Sequence, residues 1–169
     1  MKKSFKNSTK KFYRSQKLIP MATQTFSKSV LQWPLGAAPM FFETAKGCTI
    51  KDLDNNSYID FVLGLLPVIL GYQDRDVDRS VKNQMKKGVL FSMSHPIETE
   101  LAEELIKIIP YAQMVRFGKN GSDVLSAAVR LARAHTNKDM VLVSGYHGWH
   151  DWFIGSTSRN KGVPLVVQK

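Results

Sequence analysis

Val77, Val81 and Met85 recur four residues apart, the spacing that lines side chains along one face of an α-helix. Asp74 or Asp76 suits the start of that helix, and Gly88 marks its stop. Leu101, Leu105, Ile108 and Ile109 share one face of a second helix, opened by Pro96 and closed by Pro110. Leu125, Ala128, Val129 and Ala132 mark a third, beginning near Ser122. A shorter helix is expected from Lys10 to Leu18, ended by Pro20. Other apolar runs are too short for helices. Met40 to Phe42, Thr49 to Leu53 and Tyr58 to Phe61 are expected as strands, the last two joined as a hairpin by Asp54-Asn55-Asn56-Ser57. Met114 to Phe117 and Met140 to Val143 read as apolar strands between helices.

That order predicts an α/β chain: an N-terminal helix and small β-hairpin segment, followed by the start of a mostly parallel, helix-covered sheet. The expected segments are residues 1–22, 23–73 and 74–169. In such sheets ligands bind at the carboxyl ends of the strands, which directs attention to the loops after Phe117 and Val143.

Composition narrows the class. Hydrophobic content of 43% and charged content of 22% over 169 residues belong to a globular chain. No apolar run approaches the ~18 residues that a membrane span needs. A single cysteine, Cys48, excludes an internal disulfide framework and fits a reducing, cytoplasmic setting; its side chain is expected to be buried as a small apolar group. The net charge of +10 is concentrated at Lys2, Lys3, Lys6, Lys10, Lys11, Arg14 and Lys17, with no acid among them. Such a stretch can serve nucleic acid, anionic lipid or organelle targeting. It is read here as a solvated, partly frayed terminus, because only Phe5, Phe12 and Tyr13 interleave with the charges. Neither a nucleic acid nor a membrane is an expected partner.

Two segments carry chemistry. In Phe117-Gly118-Lys119-Asn120-Gly121-Ser122-Asp123, a glycine turn flanked by Asn120 and Ser122 offers N–H groups and a hydroxyl at a helix N-terminus. Converging donors and the helix dipole there hold a phosphate. The same residues also make an ordinary capped helix start without a ligand, and both readings stand. In Gly145-Tyr146-His147-Gly148-Trp149-His150-Asp151, Tyr146 can lie against a flat cofactor while the glycines allow close backbone approach. A core role for Tyr146 is the competing reading. His147 and His150 as metal ligands lack an accompanying Cys or His cluster, so no metal is expected.

The order of these features resembles the class III aminotransferases, and most closely their glutamate-1-semialdehyde aminomutase branch. The resemblance rests on KLIP at 17–20, on AKGCTIKDLDNNSYIDFVLGLLPVILGY at 45–72, and on MVRFGKNGSDVLSAAVRLARAHTNKDMVLVSGYHGWHD at 114–151. It implies fold type I, pyridoxal 5'-phosphate as cofactor, and a homodimer acting on a small-molecule amino donor and acceptor. Asn120, Gly121 and Ser122 fall at the family's phosphate cradle, where serine, glycine and threonine are usual; Asp123 replaces the usual glutamate. Tyr146 takes the place of the aromatic that stacks on the pyridine ring, followed by His147 as in the family. Leu65 and Leu66, in the turn from Gly64 to Gly71, replace the polar or aromatic residues typical of the substrate side. The stretch from Gly155 to Val163 falls at the aminomutase branch's mobile loop, where Arg159 is a candidate for an anionic substrate. The Schiff-base lysine and the acid that pairs with the pyridine nitrogen lie downstream of this stretch in the family. The expectation is therefore an N-terminal portion whose catalytic lysine lies beyond Lys169, with a non-catalytic phosphate- or cofactor-binding module as the alternative.

Overall fold

The first helix, α1 (Lys6–Gln16), begins four residues before the expected Lys10. Its own N-cap residue, Phe5, offers no side-chain acceptor. The acceptors come from Asp54, far along the chain, whose two carboxylate oxygens take the N–H groups of Asn7 at 2.8 Å and Ser8 at 2.9 Å. An acid at that end also meets the positive pole of the helix dipole. The structure, a computed structural model, describes residues 3–168; Lys2 of the basic stretch and Lys169 lie outside them. Over residues 6–16 the expectation of a frayed arm is corrected. Ser8, Phe12 and Ser15 bury one face, while Lys6, Lys10, Lys11 and Arg14 remain in solvent. Asp54→Ala should cost about 1 kcal/mol, the usual worth of a helix cap, read as a lower thermal midpoint. An unchanged midpoint would show that α1 stands without this cap.

Three strands follow: β1 (Phe42–Lys46), β2 (Thr49–Asp52) and β3 (Ser57–Ile59), an antiparallel sheet in that order. The expected strand at Met40 to Phe42 is displaced toward the C-terminus. Gly47, at φ +55°, and Cys48 form a two-residue turn that pairs Lys46 with Thr49, and such a turn fixes register. Cys48 sits at this turn and is exposed, not buried as expected. Ile50, paired with both Ala45 and Tyr58, points into the core.

The hairpin closes around Asp52, which is 1% exposed. One oxygen accepts from the N–H groups of Asp54 and Asn56, at 2.9 and 2.8 Å; the other accepts from the Asn56 amide and the Tyr58 hydroxyl, both at 2.8 Å. Burial by itself raises a carboxyl pKa, but the donors around Asp52 outweigh it and hold the group below its ordinary 3.8. Burial, then the Asp52 carboxylate, pushes Tyr58 up to about 12. Asp60 repeats the arrangement, accepting from the N–H groups of Val62 and Leu63 and from the Tyr72 hydroxyl at 2.7 Å. There too burial is outweighed and the carboxyl lies below its ordinary value, while the bond to Asp60, ahead of burial, raises Tyr72.

After β3 the chain turns repeatedly, with Leu63, Leu65 and Leu66 at φ between +53° and +79° and Leu65 and Leu66 exposed. Helix α2 (Arg75–Met85) starts where Asp74 accepts from the N–H groups of Asp76 and Val77, as its acids foretold. Its Val77, Val81 and Met85 face is exposed rather than buried. The described residues divide into two units between Phe91 and Ser92.

In the second unit, α3 (Pro96–Ile108) opens on a capping box. His95 Nδ1 accepts from Ile97 N–H and the His95 N–H donates to Glu98. Helix α4 (Gly121–Thr136) ends at Asn137, which takes the left-handed conformation at φ +53°. A short helix, α5 (Asp151–Ile154), carries Phe153, buried with Val163 in this unit's core. The strands expected at 114–117 and 140–143 are not formed. Both segments run without a ladder partner among the described residues, and Met114, Met140 and Leu142 are exposed. A strand exists only through its neighbour, so apolar pattern alone does not make one. No helix among the described residues is long and apolar enough to cross a membrane.

Candidate functional site

Helix α4 sets the site. Asn120 is its N-cap residue, with extended backbone at φ −126° and ψ 156°. It does not cap with its side chain: the amide donates instead to Asp123 Oδ2 at 3.1 Å. Val124 N–H donates back to the Asn120 carbonyl at 3.2 Å. The N–H groups of Gly121, Ser122 and Asp123 find no acceptor among the described residues, which leaves the positive end of a sixteen-residue helix open. A Cβ placed on Gly121 would meet nothing within 4 Å, so an anion has room to approach.

The loop after residue 143 lies against this helix start. Gly148, buried and at φ +97°, is seated on Ser122: a Cβ there would stand 3.2 Å from Ser122 Cα and closer to its side chain. Both glycine properties, the left-handed backbone and the missing side chain, are therefore in use at this one contact. Two residues earlier, the exposed Tyr146 meets the buried Phe153 edge-on, with centroids 5.9 Å apart and planes at 90°. His147 also abuts Phe153, at 5.3 Å, and its Nε2–H donates to the Ser144 carbonyl at 2.8 Å. Phe153 thus fixes the direction of both rings from the core side.

A chain of polar contacts runs beneath. Trp152 Nε1–H donates to Ser126 Oγ at 2.8 Å, and Ser126 Oγ lies 2.7 Å from His150 Nδ1. His150 Nε2 faces Asp123 Oδ1 at 3.7 Å, longer than a hydrogen bond. Sequence reasoning passed over Ser126 and Trp152. The available signal was spacing, since Asp123 and Ser126 are three apart on one helix and share a face. An open hollow of about 600 Å³ beside this network is walled by Asp123, Ser126, Arg130, Arg133, His150 and Trp152 among others. Arg159 is not among its walls; it lies exposed after α5, with its N–H on Thr157 Oγ1 at 3.1 Å. Asn120, Gly121, Ser122 and Asp123 are therefore gathered with the Tyr146–His147 loop, and Arg159 stands apart from that hollow.

The sequence profile of the Aminotransferase class-III family matches residues 34–168. The chain belongs to the class III aminotransferases. The chain is 41% identical over 120 residues to a 3-aminobutyryl-CoA aminotransferase of Cloacimonas acidaminovorans, covering 70% of this chain and 29% of the relative. It is 36% identical over 170 residues to a glutamate-1-semialdehyde 2,1-aminomutase of Saccharolobus islandicus, covering 92% and 40%. Among solved structures, the PLP internal aldimine form of the FumI protein of Sphingopyxis sp. MTA144 superposes with a TM-score of 0.87 at 28% identity, over 96% of this chain and 39% of that one. The chain thus spans two-fifths or less of these relatives, and its fold is part of the fold type I transaminase architecture. The family and its solved members indicate pyridoxal 5'-phosphate as the cofactor. The open helix start fits that group's phosphate, and the exposed face-bearing ring of Tyr146 fits its flat ring.

Proposed function

We propose that this chain is the cofactor-cradling portion of a pyridoxal-phosphate-dependent aminotransferase or aminomutase. The observation that carries the reading is Gly148 seated on Ser122, which joins an aromatic loop to a helix start with unbonded N–H groups. The N–H groups of Gly121 and Ser122, with the Ser122 hydroxyl, bind the phosphate, and Asn120 shapes the turn into them. Tyr146 covers one face of the ring, and His147 holds the loop through Ser144. When bound, the cofactor supplies an aldehyde that accepts an amino group and a ring that draws electrons from the substrate carbon. Residues 74–169 form the first part of the cofactor-binding domain, and 23–73 belong to a small domain. The reacting lysine and the acid facing the pyridine nitrogen lie outside residues 1–169. The reaction moves an amino group between two small molecules or within one. The enzyme is a cytoplasmic homodimer, with Arg159 on a loop serving an anionic substrate.

The test is an absorbance spectrum of the full-length gene product with pyridoxal phosphate, before and after borohydride. A visible band that reduction abolishes, fixing the cofactor on a lysine outside these residues, is the expected result. Phosphate-dependent binding without a covalent adduct would replace the enzyme with a non-catalytic binding module.

A further inference from the structure

The polar contacts run Trp152–Ser126–His150–Asp123–Asn120, and the donors at the two ends are fixed. The indole N–H of Trp152 can only donate, so Ser126 Oγ accepts there. With the Ser126 hydroxyl proton pointed at His150 Nδ1, 2.7 Å away, Nδ1 is the acceptor. In the neutral ring the remaining proton sits on Nε2, and Nε2 faces Asp123 Oδ1 at 3.7 Å. The other Asp123 oxygen accepts from the Asn120 amide at 3.1 Å. Of the one acid in the first turn of α4, one oxygen is held by the amide of the N-cap residue and the other is turned toward His150 on the helix flank.

That matters because Asp123 is the chief rival of an anion at this helix start. An aspartate in a first turn readily swings onto the open N–H groups, where it occupies the donors and adds a negative charge. We propose that His150 is a positioning residue for the phosphate site. Its Nε2–H keeps the Asp123 carboxylate turned toward the flank of α4, so that the N–H groups of Gly121 and Ser122 stay available. This rests on the phosphate-site reading above.

Two substitutions separate this role from simple anchoring of the loop on Ser126. In His150→Gln the side-chain amide N–H falls near the Nε2 position and preserves the donor to Asp123 while losing the Ser126 contact. In His150→Asn the amide oxygen falls near the Nδ1 position and preserves the Ser126 contact while losing the donor. Dissociation constants for pyridoxal phosphate and for pyridoxal, measured by absorbance on the full-length protein, give the readout, because only the first carries phosphate. The wild type should prefer pyridoxal phosphate strongly. His150→Asn and His150→Ala should weaken pyridoxal phosphate about tenfold, the scale of one charge-assisted contact. Pyridoxal binding should stay unchanged, and His150→Gln should stay near wild type. The reverse order, with Gln defective and Asn intact, would overturn the proposal in favour of anchoring. Equal losses for both ligands in every variant would also overturn it, as general loop damage. A wild type without phosphate preference would remove the phosphate-site reading itself.

Discussion

Replacing Asp52 by alanine is expected to destabilise the first unit by about 3 kcal/mol, a large loss for a surface hairpin. The reason is the count of donors that converge on this carboxylate. The N–H groups of Asp54 and Asn56, the Asn56 amide and the Tyr58 hydroxyl all end on it, and the side chain is almost fully enclosed. Alanine would strand these donors at once. The damage extends to α1, because Asp54, which caps that helix, is itself held in place by its N–H bond to Asp52. Asp52→Asn should lose less, since one amide oxygen survives and the Tyr58 hydroxyl can turn to accept from the new amide. The order of thermal midpoints should therefore run wild type, then Asn, then Ala. A midpoint for Asp52→Ala within a degree of wild type would show that the hairpin holds by strand pairing and packing alone.

The same geometry sets an acid limit. Asp52 and Asp60 both have folded-state pKa values below the ordinary 3.8, so each binds its proton less readily when folded than when unfolded. Their contribution is complete above the unfolded value near pH 4 and is lost as the pH falls through the folded values. Stability should fall steeply below about pH 4, and Asp52→Asn should flatten that fall by removing one of the two groups.

What the sequence revealed, and what it hid, divides along local and non-local causes. Helices α2 and α3 were legible because Asp74 and the Pro96–Glu98 start cap them from within a few residues. The turn at 54–57 was legible from its Asp and Asn content. The start of α1 was not, because its cap arrives from Asp54, and no window of neighbouring residues contains that acid. The displaced β1 and the exposed Cys48 share one cause, a two-residue turn at Gly47 whose register only the paired strands display. The runs 114–117 and 140–143 carry the right apolar pattern, but a strand also needs a neighbour, and pattern says nothing of that. At the site, Asn120 to Asp123 were legible as a glycine turn before a helix. Ser126 was hidden, since a serine within an amphipathic helix is unremarkable until Trp152 and His150 arrive from another element.

Gly148→Ala is expected to weaken pyridoxal phosphate binding about a hundredfold. Two costs combine at this residue. An alanine at φ +97° pays about 1–2 kcal/mol for left-handed backbone, and its methyl group would press on the Ser122 backbone and side chain, an overpacking cost of about 1–3 kcal/mol. The strain has a cheaper escape than unfolding: the Tyr146–His150 loop can lift from α4. Lifting relieves the methyl group, but it separates Tyr146 from the helix start and breaks the His150 contacts to Ser126 and Asp123. Cofactor affinity should therefore suffer more than the thermal midpoint. Gly145→Ala supplies the control. Gly145 also has positive φ, +83°, yet a Cβ there meets nothing within 4 Å, so it should lose only the backbone part, about tenfold. If the two alanine variants bound pyridoxal phosphate equally well, the contact between Gly148 and Ser122 would be incidental. The site would then have to be sought without the aromatic loop. A wide gap between them would make the seat of Gly148 on α4 the joint on which the two halves of the site depend.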